Sequence, residues 1–129
     1  MTSFRAAVEA HDPDAFPALL APGVTFRSPV VFQPYEGREL VAAILRGAFR
    51  VFEDFRYEQE LHGADGREVA LVFRARIGER EIHGCDFLHL DDDGLIDEFT
   101  VMVRPQKAAQ AVSVAMNEQF ELIKQELGG

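Results

Sequence analysis

One carboxylate in this chain stands where a carboxylate is expensive to keep. Asp86 lies between Cys85 and Phe87 in the run IHGCDFLHL, residues 82–90. Side chains alternate along a strand, so Ile82, Gly84, Asp86, Leu88 and Leu90 share a face that is otherwise apolar or glycine. A charge buried without a partner is unfavourable by several kcal/mol or more. The acid must then be held by a local hydrogen bond, kept protonated, or set in a cavity for use. In the last case its chemistry is general acid–base catalysis, with Asp86 as the candidate catalytic group.

Few other residues qualify as its companions. Tyr35 and Tyr57 are the only phenols, and either could orient a ligand oxygen or simply cap a core. Ser28, before Pro29, has no nucleophile-elbow context and is a candidate hydrogen-bonding group of a pocket wall. Tyr35, Tyr57, a backbone N–H or a basic side chain could equally hold Asp86 as a purely structural acid. The histidines are His11, His62, His83 and His89. None is spaced as a metal-binding pair, and His83 alternates away from Asp86 along the strand. Asp91 to Gly94 has the look of a calcium loop, but His89 and Thr100 stand where further acids are needed, so it reads as a solvated turn. Cys85 faces away from Asp86 and reads as an inert thiol. Arg104 alternates with Thr100 and Met102, on the sheet surface. No motif implies a metal or an organic cofactor.

The elements that must position these residues follow from periodicity. Residues 2–10 make a short helix with Phe4, Ala7 and Val8 on one side. Asp12, Pro13 and Asp14 suit the start of a second helix that runs to about Leu20 and ends at Ala21-Pro22-Gly23. Residues 24–28 read as a strand. Residues 30–36, VVFQPYE, read as a loop whose large apolar side chains fold over something. A third helix covers about 38–52, with Leu40, Ile44, Leu45, Ala48 and Phe52 at helical spacing. From Phe55 the period becomes two. Residues 55–62 put Phe55, Tyr57, Gln59 and Leu61 on one face, and residues 68–77 put Val69, Leu71, Phe73, Ala75 and Ile77 on one face. The Asp-Gly turn then joins two strands into a long hairpin, residues 82–104. Residues 106–127 read as a C-terminal helix with Val112, Met116, Phe120, Ile123 and Leu127 in a stripe. The class is α+β: three N-terminal helices packed on a curved, mostly antiparallel sheet, with an extra C-terminal helix.

The totals bound the function. With 129 residues, 47% apolar and 27% charged, the chain has the composition of one globular domain, 1–129. Its core spans about 2–105. A formal charge of −9 argues against nucleic acid and anionic membrane surfaces as partners. A single cysteine, no signal-like N-terminus and no membrane-length apolar run lead us to expect a cytoplasmic protein. Eleven Phe and no Trp suggest a Phe-lined core or pocket. Phe16, Phe49, Phe73, Phe99 and Val101 are expected on its wall, around a small apolar molecule.

Three stretches, HDPDAFPALLAPGVTFRSP, EGRELVAAI and GCDFLHLDDDGLIDEFTV, together resemble the nuclear transport factor 2-like superfamily, in its SnoaL-like branch of polyketide cyclases and ketosteroid isomerases. The resemblance covers about residues 2–105. It implies a cystatin-like conical barrel with an apolar cavity between the concave sheet face and the helices, and homodimers through the outer sheet face. It places Asp86 on the isomerase acid that hydrogen-bonds the developing oxyanion, a use of a neutral carboxyl for which that enzyme is a standard example. It also places Ser28 where the isomerase has its base, and Phe4 where it has a tyrosine. Steroid isomerisation by that three-group arrangement is therefore not expected. An isomerase, cyclase or dehydratase-type activity on a carbonyl or enol is one reading. A non-catalytic dimeric module with a structural Asp86 is the other. The C-terminal helix lies beyond the resemblance, to cover the cavity mouth or to pack on a partner chain.

Overall fold

The computed structural model describes residues 2–128. Its elements are α1 (Ser3–Glu9), a single 3-10 turn (Pro13–Ala15), α2 (Phe16–Leu19), β1 (Leu20–Arg27), β2 (Tyr35–Glu36), α3 (Arg38–Val51), β3 (Glu53–His62), β4 (Glu68–Ile77), β5 (Arg80–Leu90), β6 (Ile96–Arg104) and α4 (Gln106–Glu126). The strands form one sheet in the order β2-β1-β6-β5-β4-β3. Only β1 and β6 run parallel. The sheet does not close: β2 and β3 remain its edges, so the expected barrel is an open, curved sheet with helices filling its concave side.

The long hairpins carry the pattern read from the sequence. Along β4, Val69, Leu71, Phe73 and Ala75 are buried. Along β5, Ile82, Gly84, Asp86 and Leu88 are buried in the same alternation. Asp91 serves the turn between β5 and β6, its Oδ1 accepting from the backbone N–H of Asp93 at 2.9 Å and of Leu95 at 3.0 Å. That is an Asx-type turn.

Three boundaries differ from expectation, each for a local reason. Strand β1 starts at Leu20 and runs through Pro22-Gly23, rather than after them. Leu20 pairs with Ile96 but Thr25 with Glu98, so the residues between bulge out of the ladder and Pro22 has no sheet N–H to lose. Tyr35 and Glu36 form a short edge strand on β1, where a loop is expected. Ahead of it Phe32 is fully exposed and folds over nothing. In β3, Tyr57 pairs with Phe73 and Gln59 with Val72, a one-residue slip at Glu58. Beyond such a slip the faces exchange. Leu61 is 55% exposed as a result, and Glu60 is the side chain that turns in, meeting Arg5 of α1 at 3.4 Å.

Two helices close the concave side. Helix α3 buries Val41, Ile44 and Leu45, with Glu39 in its first turn and Arg50 in its last, each the sign its dipole favours. Helix α4 buries Ala108, Val112, Met116 and Ile123. They meet at Gly47, where a side-chain carbon would lie 3.4 Å from Gln119 Cβ and from Ile123 Cδ1. Arg46 and Arg50 both bridge to Glu126 across the same seam. The C-terminal helix therefore packs on its own chain, on α3. No helix among the described residues is long and apolar enough to cross a membrane.

Candidate active site

Between the sheet and the helices lies a cavity of about 550 Å³, within the usual range for small-molecule sites of roughly 300–1,000 Å³. Its wall is rich in aromatic rings. Phe4 packs at 5.3 Å on Phe16 and at 5.0 Å, edge-on, on Phe99. Phe55 stacks on Phe73 at 4.8 Å.

Asp86 opens onto this space from the middle of the sheet. Its strand neighbours in register are Leu71 on β4 and Val101 on β6. The residue is 6% exposed and is the one buried charged or polar residue among those described. Tyr57 donates its hydroxyl to Asp86 Oδ2 at 3.0 Å. Oδ1 makes no hydrogen bond, and no buried side-chain nitrogen or oxygen among the described residues lacks a partner. Oδ1 is therefore open to the cavity.

The neighbours explain why Tyr57, two strands away, can reach this acid. Gly84 has no side chain, and a Cβ there would meet Phe73 Cζ at 2.3 Å. Phe73 therefore lies over β5. Its ring carries Phe55, which meets Tyr57 edge-on at 4.9 Å and interplanar angle 86°. The Arg5 guanidinium stands 5.8 Å from the Tyr57 ring centre. Tyr57 is thereby fixed on several sides with its hydroxyl aimed at Asp86.

Burial raises the Asp86 pKa from 3.8 to about 7, with the Tyr57 hydrogen bond pulling the other way. Tyr57 itself is pushed well above its ordinary value, first by burial and then by the charge of Asp86. At neutral pH the carboxyl is thus populated in both forms, while the phenol stays protonated.

The other residues singled out in the sequence fall as follows. Ser28, Tyr35, Phe16, Phe49, Phe73, Phe99 and Val101 all border the cavity with Asp86 and Tyr57. The Ser28 oxygen accepts from the backbone N–H of Val30 at 3.0 Å and Val31 at 3.2 Å, which leaves only its proton for a ligand. Phe4 borders the cavity and has no hydroxyl to offer. His83 lies on the outer face, 3.3 Å from Arg104. The thiol of Cys85 is raised by burial, as suits an inert cysteine.

The sequence did not place Glu9, His11, Asp54 and Arg56 at the cavity, which all four border. Val112, Met116, Asn117 and Phe120 bring α4 into the cavity wall. The apolar stripe of that helix was visible, but not what it faces. His89, Asp97 and Glu98 bring ligand atoms within 4.8 Å of one another. His89 is already paired with Asp97, and Glu98 with Arg27 at 3.2 Å, so ion pairing accounts for the group. The strand slip that joins His89 and Asp97 is not marked in the sequence.

Residues 1–99 match the model of the SnoaL-like domain. The chain belongs to the SnoaL-like domain family. Among solved structures, this SnoaL-like protein is 43% identical to a steroid delta-isomerase from Pseudomonas aeruginosa, over 92% of this chain and 86% of that one, with a TM-score of 0.89. It is 34% identical to an uncharacterized protein with a cystatin-like fold from Silicibacter pomeroyi, over 97% and 87% of the two chains, also at a TM-score of 0.89. The epoxide hydrolase/cyclase-like enzyme SalBIII, of pyran ring formation in salinomycin, matches at 21% identity, 81% and 87% coverage and a TM-score of 0.66, a likeness of fold alone. No curated protein sequence matches the chain significantly. Helix α4 lies wholly outside the residues matched by the family model.

Proposed function

We propose that this SnoaL-like protein is an acid–base catalyst of the isomerase or cyclase type, acting on an apolar carbonyl or enol compound bound in its cavity. One observation carries the reading. Asp86 opens its Oδ1 onto an aromatic cavity, while Tyr57 holds Oδ2 at 3.0 Å. A carboxyl that titrates near the working pH can take a proton and give it back. Ionised, Oδ1 removes a proton from a carbon beside the carbonyl and leaves an enolate. Protonated, it returns that proton elsewhere on the same molecule, or to the oxygen. Tyr57 keeps its hydrogen bond throughout and stabilises the ionised acid. Ser28 and Tyr35 orient the ligand, and the Phe wall with Val101 excludes water.

The 43% identity to a protein called a steroid delta-isomerase supports this class of reaction. Phe4 and Ser28 argue against the three-group arrangement that the resemblance implies, so the proton transfer rests here on Asp86 with Tyr57.

The alternative is a non-catalytic dimeric module with Asp86 merely structural. The outer sheet face favours dimerisation in either case: Phe87 is 43% and Met102 59% exposed there, one on each strand of the central hairpin. Thermal-shift screening with ketones, lactones and phenols separates the two readings. Ligand-induced stabilisation that is lost in Asp86→Asn supports the catalyst. An equal response in both proteins, with the variant merely less or more stable, contradicts it.

A further inference from the structure

Besides Asp86, Tyr57 and Ser28, and the ionisable Glu9, His11, Asp54 and Arg56, the cavity wall has a neutral polar point on β2, at one edge of the sheet. Tyr35 sits on β2, paired to Phe26 of β1. Its ring is held between Phe26 at 6.5 Å and Phe120 of α4, stacked at 5.8 Å. The ring is fixed, yet its hydroxyl makes no hydrogen bond. Since no buried side-chain oxygen among the described residues lacks a partner, that hydroxyl is open. Asn117 lies three residues before Phe120 on α4, so the two share a face of the helix. Both border the cavity, and the Asn117 carboxamide makes no side-chain hydrogen bond either.

We infer that Tyr35 and Asn117 form a second polar subsite, which binds a neutral oxygen at the far end of a ligand whose first oxygen sits at Asp86 and Tyr57. This rests on the reading of the cavity as a site for an apolar carbonyl compound. The chemistry of the pair sets the class. A phenol and a carboxamide are neutral, and together they donate to and accept from a hydroxyl, ketone or lactone. They supply no charge to hold a carboxylate. The fold sets the span. Three strand steps separate β2 from β5, about 14 Å at the usual spacing in a flat sheet. Curvature and the inward reach of the side chains shorten this to the length of a few fused rings. The ligand is thus a rigid, doubly oxygenated, apolar molecule. Helix α4, which the family model does not include, supplies half of the subsite.

The test uses two steroids as probes: androstenedione, and the same steroid without the carbonyl on its five-membered ring. Affinities are measured by calorimetry on the wild-type protein, Tyr35→Phe, Asn117→Ala and Asp86→Asn. Tyr35→Phe keeps the ring stack, and Asn117 is exposed, so both variants fold. One neutral hydrogen bond is typically worth about 1 kcal/mol, so the diketone is expected to bind wild type about fivefold tighter. That preference disappears in Tyr35→Phe and Asn117→Ala. Equal binding of the two steroids by wild type, or a preference that persists in both variants, overturns the subsite. If the mono-ketone binds and is weakened by Asp86→Asn with no such preference, the subsite alone fails. If neither steroid binds, the subsite and the carbonyl-ligand reading fail together.

Discussion

Tyr57 and Asp86, 29 residues apart in sequence and two strands apart in the sheet, share one hydrogen bond of 3.0 Å inside an aromatic cavity. The bond favours the ionised acid, whereas burial favours the neutral one. Tyr57→Phe removes the first influence and leaves the second. The Asp86 pKa is then expected to rise further above about 7, by roughly one unit for the loss of a charge-assisted bond. Carboxyl carbon NMR of labelled aspartate reads this directly. An unchanged or lower pKa would mean that the bond does not act on the acid.

The same acid makes stability depend on pH. The unfolded chain releases the Asp86 proton near 3.8, while the folded chain holds it to about 7. Between these values the folded state binds more protons, so stability falls as pH rises. The full effect is on the order of 4 kcal/mol. Asp86→Asn lacks it. The variant is therefore expected to gain on wild type progressively from about pH 4 to about pH 7, with a constant difference beyond. Denaturant melts across that range check it, and a pH-independent difference would contradict it.

Gly84 is a packing requirement of the site. A methyl group there would stand 2.3 Å from Phe73 Cζ and 2.9 Å from the Met102 carbonyl oxygen. The backbone oxygen cannot move cheaply, and overpacking typically costs about 1–3 kcal/mol. Gly84→Ala is expected to lose that much in urea melts and to lower ligand affinity by displacing Phe73 and Tyr57. A variant as stable as wild type would show that the sheet relaxes freely there.

Much of this was legible in the chain. The alternation of β4 and β5, the Asp-Gly hairpin and the inward face of Asp86 all follow from period-two patterning against clear turn residues. The faces of α3 and α4 follow from helical spacing. What failed was local irregularity. A slip at Glu58 exchanges Leu61 for Glu60 on the inner face, and no residue type announces it. The bulge in β1 hides Pro22 from the ladder, so a strand passes through what reads as a helix stop. The choice of Tyr57 over Tyr35 as the Asp86 partner is a matter of tertiary distance, set by Gly84 and Phe73, and periodicity carries no such information.

The outer sheet face gives a prediction of its own. Phe87 and Met102 are large, exposed and on adjacent strands. Phe87→Asp with Met102→Asp is expected to convert a dimer to a monomer in sedimentation velocity, while ligand binding in the cavity persists. Wild-type protein that sediments as a monomer at all concentrations would contradict the dimer.

The proposal turns on proton exchange by Asp86, and hydrogen–deuterium exchange into a bound ketone measures it most directly. Androstenedione is incubated in deuterated buffer with the wild-type protein and with Asp86→Asn, and deuterium beside its carbonyls is followed by mass spectrometry. The wild-type protein should accelerate incorporation, and Asp86→Asn should lose roughly 10²-fold or more of that acceleration. No acceleration by the wild type, or equal acceleration by the variant, would contradict it.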